Sequence, residues 1–124
     1  MNILFVCTGN TCRSPMAEAL FNDLVRKNDL SDLKATSAGI AALPGQSASM
    51  HAIRVMEEKG IDLKGHKSRQ VDQKLLRKSD LILTMTESHK TALQAAEPSI
   101  WQKVYTLKEY AGFKDMDIPD PFGK

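Results

Sequence analysis

The chain has 124 residues, 42% of them hydrophobic and 26% charged, with 17 Lys and Arg against 15 Asp and Glu for a formal net charge of +2. That is the make-up of one ordinary globular domain spanning 1–124, large enough for a real core and too small for a second. The basic residues are dispersed, which gives no pointer to nucleic acid or to an anionic membrane, and no apolar run reaches the length of a signal peptide or a membrane span, so the expectation is a cytoplasmic protein.

The apolar run Ile3-Leu4-Phe5-Val6 predicts a buried strand that ends at Cys7. Met16, Ala17, Leu20, Phe21, Leu24 and Val25 recur at helical spacing, which predicts a helix over 15–27 with that stripe on a core, Pro15 at its first position and Ser14 as its cap. Asn28-Asp29 closes it. A short second strand over 35–38 ends at Gly39 and gives way to a loop holding Pro44-Gly45. Ser47 or Ser49 can cap a second helix that stops at Gly60, and Asp72 starts a third through Leu75 and Leu76. Residues 81–85 are apolar on both faces, as a central parallel strand would be. Thr86 caps a helix that Pro98 stops; 103–107 form the last strand, one helical turn follows at 108–111, and Trp101 and Tyr105 read as packing residues. Strands and helices alternate four times, which predicts an α/β fold with a parallel sheet, right-handed crossovers and helices on both faces.

The stretch between the first strand and its helix reads Cys7-Thr8-Gly9-Asn10-Thr11-Cys12-Arg13-Ser14-Pro15. A loop that leaves a strand's carboxyl end and opens a helix turns several N–H groups toward one point, where the helix dipole adds positive potential. Such donors, with the planar Arg13 fork, suit a tetrahedral dianion and the thiolate form in which a cysteine attacks. Gly9 gives the backbone a place to curl without a Cβ. A cysteine alone at a strand end is ordinarily a small apolar residue. Accompanied by Gly9, Arg13, Ser14 and Pro15, it marks a phosphate cradle with a nucleophile at its floor. The two cysteines, both in this loop, form no disulfide framework, and the absence of a nearby His excludes the usual zinc spacings. A mere anion sensor would keep Arg13 without needing Cys7, so loss of p-nitrophenyl phosphate hydrolysis in Cys7→Ser separates the two.

The loop, together with Met16-Ala17-Glu18, Ser37-Ala38-Gly39, Gly60-Ile61, His66-Lys67-Ser68-Arg69-Gln70, Asp80-Leu81-Ile82-Leu83-Thr84-Met85 and Asp120-Pro121, resembles the low-molecular-weight protein tyrosine phosphatases over nearly the whole chain. The resemblance implies a four-stranded parallel sheet in the order 2-1-3-4. It makes Cys7 the nucleophile that forms a phosphocysteine, Arg13 the clamp on the phosphoryl group, Ser14 a donor to the Cys7 sulfur, and Asp120 the acid for the leaving group and then the base for water. It makes Thr8, Gly9, Asn10, Thr11 and Cys12 the substrate-binding loop, with Ala41 and Phe122 beside it, and has Asn10 hold a strained conformation through Ser37 and His66. No metal or cofactor is implied, and the partner is a phosphorylated protein. Cys12 is placed to trap an oxidised Cys7 as a disulfide, and a Cys12→Ser variant whose peroxide inactivation reverses as readily as that of wild type would rule this out.

Within this family Thr11 resembles the bacterial protein arginine phosphatase branch, where tyrosine phosphatases usually carry a bulkier aliphatic. A smaller polar wall suits a planar guanidinium better than a phenyl ring. Ala41 stands where many relatives have an aromatic wall. The expectation is phosphoarginine hydrolysis, with phosphotyrosine as the alternative. Thiol-dependent arsenate reductases share the loop but need a later cysteine pair, and none follows Cys12. Family members continue into a final helix beyond the Asp-Pro loop. The resemblance therefore leads one to expect that helix to be missing here and the chain to be monomeric unless a partner replaces it.

Overall fold

The computed structural model describes residues 1–111; residues 112–124, which include the expected acid Asp120 and the expected cleft residue Phe122, lie outside the described residues. Strand β1 (Asn2–Cys7) is followed by α1 (Arg13–Lys27), β2 (Lys34–Gly39), α2 (Met50–Glu58), α3 (Gln73–Lys78), β3 (Leu81–Thr84), α4 (Glu87–Ala96), a 3-10 helix (Pro98–Lys103), β4 (Val104–Thr106) and the single turn α5 (Leu107–Tyr110). The strands form one parallel sheet in the order β2-β1-β3-β4, as expected. Alternate residues of β1 serve opposite faces: Leu4 and Val6 pack with Ile82, Leu76 of α3 and Leu93 of α4, whereas Ile3, Phe5 and Cys7 pack with Leu83 and, from α1, Ala17 and Phe21. Helices thus cover both faces. A third cluster, Cys12 with Ala48, Ala52, Met56 and Leu63, ties α2 to the start of α1.

Local chemistry sets the element ends. Ser49, Asp72 and Thr86 each accept a backbone N–H of the helix they precede, from Ala52, Leu75 and His89. Helix α2 ends in a Schellman motif: Gly60, at φ 75°, donates to Glu57, and Ile61 donates to Met56. Asp29, at φ 52°, closes α1 in the same way, with Leu30 donating to Val25.

Three expectations are corrected. Helix α1 begins at Arg13, with Cys12 at the N-cap and no side-chain cap bond, so Ser14 lies inside the first turn, fully buried. Leu20 and Leu24 are 37% and 58% exposed rather than on the core. The helix is rotated to face the edge strand β2, where Asn22 pairs with both backbone groups of Ala35 at 3.0 Å and Glu18 accepts from Ser37. An unpaired strand edge needs hydrogen-bond partners, and α1 supplies them with polar side chains, leaving leucines outside. Trp101, in the 3-10 helix that follows Pro98, is 59% exposed and so does not pack in the core. Among the described residues no helix is long and apolar enough to cross a membrane.

Candidate active site

The site grows out of two strand ends that lie side by side. Cys7 is in register with Gly39, and the pairing continues past the strands: Ile40 donates to the Cys7 carbonyl and Ala41 to that of Thr8, both at 2.9 Å. So close an approach leaves no room at position 39. A Cβ there would overlap the Thr8 carbonyl and come within 3.0 Å of the Asn10 nitrogen. Gly39 is the glycine the loop requires. Gly9 is not, since a Cβ there would meet only the Thr11 hydroxyl, at 3.8 Å, and the left-handed residue of the loop is Asn10, at φ 57°.

Asn10 is fully buried, and the structure gives each of its polar atoms a partner. Its Oδ1 accepts from the Arg69 N–H at 2.9 Å, which assigns Nδ2 as the donor; Nδ2 then donates to the Ser14 and Ser37 hydroxyls, both at 2.9 Å. Ser37 donates onward to Glu18 at 2.5 Å. The Asn10 carbonyl accepts from His66 Nε2 at 2.7 Å, so that ring nitrogen carries a proton, and His66 reaches the backbone of Asn10 rather than its side chain. These bonds hold a non-glycine residue in a conformation that costs about 1 kcal/mol or more.

The proton order decides what reaches the sulfur. Because Ser14 Oγ already accepts from Asn10, its own proton is free to go to Cys7 Sγ, 2.8 Å away, and the Asn10 N–H donates to the same sulfur at 3.3 Å. With that orientation Cys7 accepts twice, at the foot of α1. This explains why Ser14 does not cap the helix: its hydroxyl faces the sulfur.

Arg13 opens α1 half-buried, and its Nη2 lies 3.5 Å from Thr8 Oγ1. Thr8 is exposed, and its hydroxyl is also 2.9 Å from Nε2 of His89, a buried residue of α4. The half-buried Thr11 accepts the Ser49 N–H on its carbonyl at 2.7 Å, and Cys12 is buried in the third cluster and is not disulfide-bonded. Ala41 is exposed beside Thr8. Its loop is pinned from the far side, since Gln70 accepts from the Ala42 N–H at 2.8 Å and donates to the Ile40 carbonyl at 2.6 Å. The structure therefore brings together Cys7, Arg13, Ser14, Asn10, Ser37 and His66 with the loop. In the sequence Glu18, Gly39 and Arg69 stand only as residues that carry the resemblance, with no role at the site, and His89 was not expected there at all. Only Glu18, one turn beyond Ser14 on the same helix, carried a local signal. Among the described residues no three His, Cys, Asp or Glu side chains are grouped to hold a metal.

This geometry agrees with what the chain is similar to. The family profile described as low molecular weight phosphotyrosine protein phosphatase matches residues 2–124. A protein-arginine-phosphatase of Bacillus subtilis is 44% identical over 123 residues, 99% of this chain and 81% of the relative. The Escherichia coli low molecular weight protein-tyrosine-phosphatase Wzb is 42% identical over 99% of this chain and 79% of its own length. A solved structure of the YwlE arginine phosphatase, a mutant with a phosphorylated active-site serine, superposes with a TM-score of 0.94 at 43% identity, over 99% of this chain and 80% of that one. The chain belongs to the low-molecular-weight phosphotyrosine protein phosphatase family and is a cysteine-dependent phosphatase.

Proposed function

We propose that this phosphatase hydrolyses phosphoarginine in proteins, with Cys7 as nucleophile. Its sulfur attacks phosphorus while the P–N bond breaks, and the departing guanidine nitrogen takes a proton from Asp120. Water, deprotonated by Asp120, then attacks the phosphocysteine; the S–P bond breaks, inorganic phosphate leaves and the thiolate returns. Arg13 holds two equatorial oxygens through both steps. Ser14 donates to the sulfur when it carries charge, before attack and again as leaving group. The observation that carries the mechanism is the doubly accepting sulfur, with Ser14 at 2.8 Å and the Asn10 N–H at 3.3 Å. A nucleophile of this kind needs a reducing compartment, in keeping with a cytoplasmic enzyme.

Two things favour phosphoarginine over phosphotyrosine: Thr11 in the loop, and the arginine-phosphatase names of the Bacillus subtilis relative and of a Geobacillus stearothermophilus one at 43% identity. Phosphotyrosine is the second reading, favoured by the tyrosine-phosphatase name of the Escherichia coli relative, at 42% identity. The experiment is kcat/KM on matched phosphoarginine and phosphotyrosine peptides for wild type and Thr11→Ile. Wild type prefers phosphoarginine and Thr11→Ile lowers that preference by about tenfold, a difference of about 1.4 kcal/mol between two transition states. A wild type that prefers phosphotyrosine ends the phosphoarginine reading and leaves the nucleophile in place.

A further inference from the structure

The catalytic loop stands at the carboxyl ends of the strands; a second cavity, of about 200 Å³, lies toward their amino ends. Its lining includes Asn2, Lys34, Thr36, Arg69, Lys78 and Ser79. Asn2 and Lys34 are paired first residues of β1 and β2, and Thr36, two residues on, shares the face of Lys34. Lys78 ends α3, and Arg69 comes in from the segment that bridges Gly39 through Gln70. Three cationic residues, all of them exposed, thus line one hollow whose lining contains no carboxylate. The ion pairs among the described residues are made by Arg26, Lys27, Lys64, Arg77 and Lys90, not by these three. Asp80, next to Ser79 in sequence, accepts the Asn2 N–H at 2.6 Å. The carboxyl end of α3 accounts for a cation at Lys78 but not for Lys34 or Arg69.

We propose that this cavity is a second anion site, one that takes a compact oxyanion of the phosphate class. Three like charges lining one hollow, with no ion-pair partner among the described residues, favour an anion there, an attraction that salt screens because all three are exposed. Arg69 offers a planar fork, the lysines two point charges, and Thr36 and Asn2 neutral donors. At about 200 Å³ the cavity falls below the roughly 300 Å³ at which small-molecule pockets begin, so it suits free phosphate rather than a nucleotide or a peptide. Arg69 also links the two ends of the sheet. Its N–H donates to Asn10 Oδ1 and its carbonyl accepts from the Gly39 N–H, both at 2.9 Å, so the residue that would clamp the anion also buttresses the catalytic loop. The inference does not depend on the choice between phosphoarginine and phosphotyrosine.

Inorganic phosphate is titrated into the protein at constant ionic strength while backbone amide resonances are followed. Two groups of amides respond and saturate: Gly9 and Thr11 in the catalytic loop, and Thr36 and Ser79 at the cavity. In a Lys34→Gln/Lys78→Gln double variant the apparent affinity at Thr36 and Ser79 falls by about tenfold or more, whereas Gly9 and Thr11 titrate as in wild type, which also reports that the variant is folded. Saturation confined to the catalytic loop, a cavity response unchanged by the double variant, or loss of both responses together would each overturn the proposal.

Discussion

The loop 8–12 and the short helix α5 are fixed in opposite ways. The centre of the loop's support is uncharged and out of contact with water: Asn10, Ser14 and Ser37 are at most 2% exposed and Asn10 donates to both hydroxyls, with Glu18 and His66 only at the margins of the network. Helix α5, which leads in sequence to the segment carrying Asp120, is held by a charged pair, Lys90 Nζ lying 3.0 and 2.9 Å from the two carboxylate oxygens of Glu109. Those side chains are 18% and 30% exposed. A buried neutral network is insensitive to salt and pH but fails abruptly when one member is lost; a half-exposed ion pair is weak, tolerant of loss, and tunable by solution conditions. The cradle of the proposed nucleophile is built the first way, and the segment leading to the proposed acid the second.

The comparison breaks most visibly at Asn10. Asn10→Ala leaves the Arg69 N–H without its acceptor, removes the bonds to the Ser14 and Ser37 hydroxyls and forces an alanine to φ 57°, so the expected loss of stability is about 2–4 kcal/mol in urea denaturation. Asn10→Gly removes the same bonds but not the backbone freedom, and recovers about 1 kcal/mol of that loss. Equal losses in the two variants would mean that the left-handed conformation carries no cost here. Both lose most of their p-nitrophenyl phosphate hydrolysis, because the N–H aimed at the sulfur is no longer held in place.

Ser14→Ala is subtler, removing one hydroxyl in the first turn of α1, where alanine is an excellent helix former. The Asn10 amide loses one of its two acceptors, and Cys7 loses its shorter hydrogen bond. Stability falls by about 1–2 kcal/mol, and kcat falls about 10- to 100-fold. The signature that separates this from general damage lies in the rate steps. If Ser14 supports the sulfur as leaving group, single-turnover experiments show phosphocysteine accumulating in Ser14→Ala; a KM change at unchanged kcat contradicts that role.

The alternation of apolar runs with capped helical stripes made the sheet and its helices legible, because β1 and β3 are apolar enough to be buried on both faces and Ser49, Asp72 and Thr86 are strong local caps. Cys7 and Arg13 were legible because their chemistry needs no knowledge of distant residues. What escaped was non-local. Nothing near Gly39 announces that Thr8 will lie against it, and nothing near His89 points to Thr8, 81 residues away. The leucine stripe of α1 misled because the edge of β2 drew Glu18 and Asn22 inward, and polar satisfaction outweighed apolar periodicity. Ser14 looked like a cap by propensity alone, a reading its bond to a buried sulfur overrides.

The smallest expected effect belongs to α5 and gives the comparison its sharpest form. Glu109 is held below the ordinary carboxylate range, chiefly by its hydrogen bond to Lys90 and next by that from the Thr106 N–H, which also closes a capping box. A carboxyl depressed in the folded state contributes stability at pH values above its unfolded pKa. That contribution is lost as pH falls through the lower folded value. At neutral pH Glu109→Gln should therefore cost less than about 1 kcal/mol, and 1 M salt should shrink the difference because both groups are partly wet. In acid, once the wild-type carboxyl is protonated, the urea midpoints of wild type and Glu109→Gln converge. Asn10→Ala shows no such convergence and no salt dependence, since no charge enters its network until Glu18, beyond Ser37. A Glu109→Gln difference that persisted unchanged into acid would mean that α5 is anchored by shape rather than by its ion pair.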